Sequence, residues 1–169
     1  MENLAFSPEW DKLSEKQKIE LHTADKFLAI YNKQKGSSYK ITAIEDSPDI
    51  ACQWEEKNLK LYLEITLTED RKLDIASGLG RKQTRSLDLV CNRRGYSIEN
   101  PIYQIIERIK EKTSKRYGEN VALIVRHVSG VDWDFGQELE SIRDNVYCES
   151  SPFDQGIWLL SDDKLTQIC

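Results

Sequence analysis

Apolar residues recur along this chain with two periods, one helical and one extended. Ser14-Glu15-Lys16-Gln17 has the form of a capping box, and from there to about Lys35 the spacing is helical. Glu20, Ala24, Phe27, Leu28 and Tyr31 fall on one face of that helix, and Gly36-Ser37-Ser38 stops it. An earlier start signal, Ser7-Pro8, predicts a helical turn before it. Tyr39 to Glu45 then alternates as a strand, Asp46-Ser47-Pro48 reads as a turn, and Asp49 to Glu55 reads as a second strand. Glu56-Lys57-Asn58 turns the chain into a third strand, Leu59 to Leu67, so the second and third strands predict a hairpin. Asn100-Pro101 opens another helix, with Ile102, Ile105, Ile106 and Ile109 as its stripe, running to about Tyr117-Gly118. Val121 to Arg126 has the β-branched content of a fully buried strand. A third helix over Asp134 to Tyr147 and a final strand over Gly156 to Ser161 complete the order.

Between the third strand and the second long helix, residues 68–100 show little periodicity, apart from a short strand or helix around Leu87–Val90. A loop of that length in a compact domain is usually functional or mobile. Charge singles out the same stretch. Residues 1–70 carry a net charge of −5, residues 71–100 of +4 and residues 101–169 of −4. The whole chain, 169 residues at net −5, is therefore acidic with one basic segment. That balance argues against coating nucleic acid by bulk charge alone.

Length and composition suit one domain over residues 1–169, with the basic loop as an insertion. A chain of this size buries about two-thirds of its unfolded surface and needs no staple. The longest apolar run is about five residues, as in Val121-Ala122-Leu123-Ile124-Val125, and the first residues lack the pattern of a signal peptide. A soluble, cytoplasmic protein without a membrane segment is expected. Cys52, Cys91, Cys148 and Cys169 are widely spaced and form no CxxC pair. They are expected to be reduced thiols, some of them packing residues, and with two histidines a structural zinc site is not expected.

The candidate chemistry lies in carboxylates. Asp49 starts one strand of the predicted hairpin and Glu64 lies on the next, so the hairpin brings them side by side. Oxygen ligands on neighbouring strands suit a hard cation such as Mg²⁺. Tyr62, Glu64 and Thr66 share one face of the third strand, opposite an aliphatic face of Leu61, Leu63, Ile65 and Leu67. A plain solvent-facing Glu64 satisfies the same spacing. Glu20 occupies the inward stripe of the first helix, where an unpartnered carboxylate is costly, unless it marks the solvated end of the stripe. His127 follows the buried strand and is a candidate base, although an isolated core histidine is the plainer reading.

The order of elements, with Ser47-Pro48-Asp49 and then Tyr62-Leu63-Glu64-Ile65-Thr66, resembles the αβββαβ core of the PD-(D/E)xK nucleases over roughly residues 14–126. The resemblance implies an α/β (α+β) fold with a restriction endonuclease-like, three-layer core, a mixed central sheet and an added C-terminal helix and strand. It implies metal ligation by Asp49 and Glu64, with Glu20 as the helical acid, and Mg²⁺ or Mn²⁺ as cofactor. Where the family places a lysine two residues after the second acid, this chain has Thr66. Lys112 extends the inward stripe of the second long helix and is a candidate replacement, or it snorkels to solvent. Asp49, Glu64, Thr66 and Lys112 are thus the candidate catalytic residues. Arg81, Lys82, Arg85, Arg93 and Arg94, beside Arg71 and Lys72, would hold phosphates of DNA. The function implied is a metal-dependent endodeoxyribonuclease, either active or degenerate. The alternative is a non-catalytic DNA-binding or protein-interaction module of defence or mobile-element type on the same fold. Nucleases of this size often act as homodimers, but no coiled-coil pattern marks a dimer here.

Overall fold

The first long helix forms where the capping box predicts it. In the computed structural model, which describes residues 1–68, 101–127, 135–136 and 138–169, α1 spans Glu15–Lys35. The Ser14 side chain accepts from the Gln17 amide at 3.2 Å, and the Gln17 side chain accepts from the Ser14 amide at 2.9 Å. Gly36 closes the helix in the left-handed region, φ 62°, which a residue without a Cβ adopts at no steric cost. Before it, Ser7-Pro8 leads only to a single 3-10 turn, Trp10–Lys12.

Strands β1 (Lys40–Ile44), β2 (Ile50–Trp54) and β3 (Leu59–Leu67) follow, then helix α2 (Pro101–Thr113) and strand β4 (Val121–His127). Helix α3 (Leu139–Val146) and strands β5 (Ile157–Ser161) and β6 (Lys164–Gln167) end the chain. The described strands make one mixed sheet in the order β1-β2-β3-β4-β5-β6. β1, β2 and β3 pair antiparallel, β3, β4 and β5 pair parallel, and β6 returns antiparallel to β5. The fold is mixed α/β, with a six-stranded mixed sheet and three helices among the described residues.

Period-2 alternation sends the side chains of the central strands to two separate cores. Leu61, Leu63, Ile65, Ala122 and Ile124 pack with Leu21, Phe27 and Leu28 of α1. Val121, Leu123, Val125, Ile157 and Leu159 pack with Ile105 and Ile109 of α2 and Ile142 of α3. Strands β4 and β5 are buried along their whole length, as expected for parallel strands covered on both faces.

Several expectations need correction. The second helix stops at Thr113, short of Tyr117-Gly118. The hydroxyls of Thr113 and Ser114 donate back to the carbonyls of Lys110 and Glu111, offering those carbonyls an alternative to continued helix. Strand β6 was not expected; it has four residues and one buried side chain, Leu165, too little pattern to read. The third helix spans Leu139–Val146, and Asp134, its expected start, lies outside the described residues. The Leu87–Val90 element, the Asn100 cap and residues 69–100 as a whole lie outside the described residues. Among the described residues no helix is long and apolar enough to cross a membrane.

The cysteines also differ from the reduced state expected. Cys148 and Cys169 form a disulfide, while Cys52 is a buried free thiol; Cys91 lies outside the described residues. Spacing along the chain carried no sign of this pair, because the turn after α3 and the return of β6 are what bring the two Cα atoms to 5.4 Å. Closing a loop of 21 residues restricts the unfolded chain and is worth about 3 kcal/mol in the chain-entropy picture. Cys148→Ser should therefore lower the urea midpoint in non-reducing buffer. Dithiothreitol should bring the wild type down to the same value and leave the variant unmoved. An equal midpoint for all four samples would mean that the bridge stabilises nothing.

Candidate functional site

The hairpin register, which pairs Ile50 with Leu63, sets Asp49 across from Glu64 just beyond the end of the β2 ladder. Ile50 pairs with Leu63, and β3 continues four residues beyond that point to Leu67. The Ile65 amide, on the β2 side of β3, has therefore run past the β2 ladder. Asp49 is not part of β2, as the sequence suggested; it lies in the bend before it, and its carboxylate Oδ2 accepts from the Ile65 amide at 2.8 Å. This bond satisfies a buried backbone donor and fixes the carboxylate beside the Glu64 backbone. Asp49 is 3% exposed and Glu64 4%.

Each acid meets a lysine. Lys112, on the last turn of α2, places Nζ 2.6 Å from Glu64 Oε1, and its side chain is only 16% exposed. It turns inward and does not snorkel. The Tyr117 hydroxyl donates to the same Oε1 at 3.3 Å. Burial, and then the neighbouring Glu64 carboxylate, hold the Tyr117 phenol protonated well above its usual range. Glu64 Oε2 is buried with no hydrogen-bond partner among the described residues. On α1, Glu20 is buried, which decides for the inward reading over the solvated end of the stripe. Lys16, one turn earlier, lies 3.0 Å from Glu20 Oε1 and 3.4 Å from Asp49 Oδ1. Burial and the nearby Asp49 charge raise the Glu20 carboxyl to about 7, against the opposing pull of Lys16.

Of the expected residues, the structure brings Glu20 and Asp49 together at Lys16, and Glu64 together with Lys112 on the α2 face of β3. Thr66 is buried on β3 two residues beyond Glu64. Arg81, Lys82, Arg85, Arg93 and Arg94 lie outside the described residues. As they stand, the carboxylates are drawn towards two lysines, and no group of three or more His, Cys, Asp or Glu side chains among the described residues is arranged to hold a metal ion. Two residues of the constellation were not foreseen. Lys16 precedes Glu20 by four positions, a helical ion-pair spacing that was open to reading. Tyr117 carried no such signal, because it reaches Glu64 from the chain beyond α2.

At the far end of the central strands, Arg126 and His127 point to opposite faces. Arg126 is buried and donates to the Thr23 hydroxyl of α1 at 2.7 Å. His127 is 2% exposed, and its Nδ1 lies 2.9 Å from the Thr68 hydroxyl. Its Nε2 is buried without a hydrogen-bond partner among the described residues, and its ring packs edge-on against Phe135. Burial pushes its pKa from the usual 6.5 down to about 4. The native state therefore refuses a proton that the unfolded chain accepts. Stability should fall as pH drops from about 6.5 to about 4, by about 3 kcal/mol in all, and level off below. Urea unfolding of wild type and His127→Gln at both ends of that range isolates the effect. A pH dependence as steep in the variant as in the wild type would refute it.

No family model, no curated protein and no solved structure matches this chain.

Proposed function

We propose that this protein is a divergent PD-(D/E)xK endodeoxyribonuclease that uses Mg²⁺ or Mn²⁺, with its motif lysine moved from β3 to Lys112 of α2. The single observation that carries this reading is the asymmetry of Glu64. One oxygen is fixed by Lys112 at 2.6 Å and by Tyr117, while the other is buried and unpartnered. Asp49 Oδ2 is fixed by the Ile65 amide, and the carboxylate also meets the exposed Lys16 and the Glu20 carboxyl. A fixed carboxylate with one oxygen unpartnered, beside another whose second oxygen is held by an exposed lysine, fits a hard cation. Mg²⁺ is often bound through one or two carboxylates, keeping several of its waters, so a third ligand is not required. Asp49 and Glu64 would hold the cation, and Glu20 would add a third acid once freed from Lys16.

When bound there, the cation would polarise a phosphodiester and favour ionisation of an attacking water. The protein's own part is positional. Lys112 orients Glu64 and presents a cation where negative charge develops. Thr66, at the family's lysine position, contributes a hydroxyl rather than a charge. The helix, hairpin, helix and parallel strand of residues 15–127 support the restriction endonuclease-like core. The basic residues of 71–100, next in sequence after β3, would supply backbone contacts to DNA.

Supercoiled plasmid incubated with Mn²⁺ or Mg²⁺ should be nicked, and a chelator should stop the reaction. Intact plasmid and intact linear duplex at all metal concentrations would remove the nuclease reading. One observation favours the alternative of a non-catalytic DNA-binding or protein-interaction module. Each of the three acids already has a lysine within ion-pair distance, two of them sharing Lys16, so none needs a metal as its cationic partner. Calorimetry with Mn²⁺ separates the two readings: carboxylate-dependent binding belongs to the first only.

A further inference from the structure

We infer that Lys16 is a displaceable resident cation: its ammonium occupies the carboxylate oxygens that a divalent ion takes, and metal binding drives it out into solvent. The inference rests on the metal-site reading above and adds a residue that this reading does not need. Three observations support it. First, Lys16 contacts two acids at once, Glu20 Oε1 at 3.0 Å and Asp49 Oδ1 at 3.4 Å. Second, those acids are nearly closed off, with side chains 7% and 4% exposed, whereas the Lys16 side chain is 72% exposed. The ammonium therefore meets the buried pair from the solvent side, and it can leave without moving the core. Third, Lys16 is the second residue of α1. The helix dipole disfavours a cation there, so little besides the two carboxylates holds it in place.

Lys112 provides the contrast. Its side chain is mostly buried, and it binds the Glu64 oxygen that Tyr117 also holds. Lys112 is thus built into the site, while Lys16 is exchangeable. Glu64 Oε2, buried and unpartnered, lies outside both lysine contacts.

The test uses the full chain and MnCl₂ as the probe. Titration calorimetry compares wild type, Lys16→Met and Lys18→Met. Lys18 lies on the same turn of α1 but pairs with Glu15 at 3.9 Å, so it controls for loss of a nearby charge. Lys16→Met should bind Mn²⁺ about 5- to 10-fold tighter than wild type, the range set by releasing one or two largely exposed ion pairs. Lys18→Met should match the wild type. In the wild type, Mn²⁺ should increase acylation of Lys16 by an amine-reactive reagent several-fold, mapped by mass spectrometry.

Equal affinity in wild type and Lys16→Met, with clear binding in both, would overturn the displacement while leaving the metal site standing. An equal gain in Lys18→Met, or Lys16 acylation that Mn²⁺ leaves unchanged, would overturn it too. No binding by any of the three proteins would remove the metal site and this inference together.

Discussion

Replacing Lys112 with methionine should destabilise the fold by about 3–5 kcal/mol, the usual cost of removing one partner from a buried ion pair. Glu64 is 4% exposed, and without the ammonium its carboxylate would keep, among the described residues, only the Tyr117 hydroxyl at 3.3 Å. The loss comes from the stranded charge, not from missing contacts, since methionine fills much of the lysine stem. Removing that charge as well should therefore recover most of the loss. Glu64→Gln in the Lys112→Met background is expected to be more stable than Lys112→Met alone, with a coupling of about 2–3 kcal/mol in the double-mutant cycle. Urea denaturation of the four proteins measures it. A Lys112→Met protein within about 1 kcal/mol of wild type would show that the pair behaves as a solvated one.

The second large effect concerns chemistry. Asp49→Asn should lower Mg²⁺-dependent cleavage by about 10³-fold or more while leaving the unfolding midpoint nearly unchanged. The two outcomes separate because the side chain has two duties. An amide oxygen still accepts from the Ile65 amide, the bond that caps the end of the β2 ladder. It no longer carries the charge that holds a divalent cation or draws in Lys16. Alanine would confuse the two by also leaving a buried amide without its acceptor, which costs about 1–3 kcal/mol. Wild-type cleavage by Asp49→Asn would end the assignment of Asp49 as a ligand.

Much of the scaffold could be read from the chain because its signals are local. The capping box and Gly36 bound α1 to the residue, and alternation bounded β3. Other boundaries failed for equally local reasons. Asp49 was read into the second strand because its neighbours are strand-like, but its side chain leaves the ladder to cap the Ile65 amide. The end of α2 was misread because the hydroxyls of Thr113 and Ser114 compete for helix carbonyls, a contest that periodicity does not register.

The site divides along the same line. Sequence by itself singled out the acids, Glu20 by its place in a helical stripe and Asp49 and Glu64 by the predicted hairpin, and left open whether Glu20 and Glu64 face solvent; the tertiary structure buries all three. Sequence also placed Lys112 at the end of an apolar stripe, without deciding whether the lysine would turn in or out. Only the tertiary structure decided that it turns in. The reason is that α2 packs over the face of β3 that carries Glu64, and the buried carboxylate draws the nearest cation towards it. Tyr117, the bridging role of Lys16 and the pairing of Cys148 with Cys169 belong to the same class. Each joins positions that are distant in sequence or on separate elements. Their meeting depends on how helices and strands pack, which no local pattern encodes.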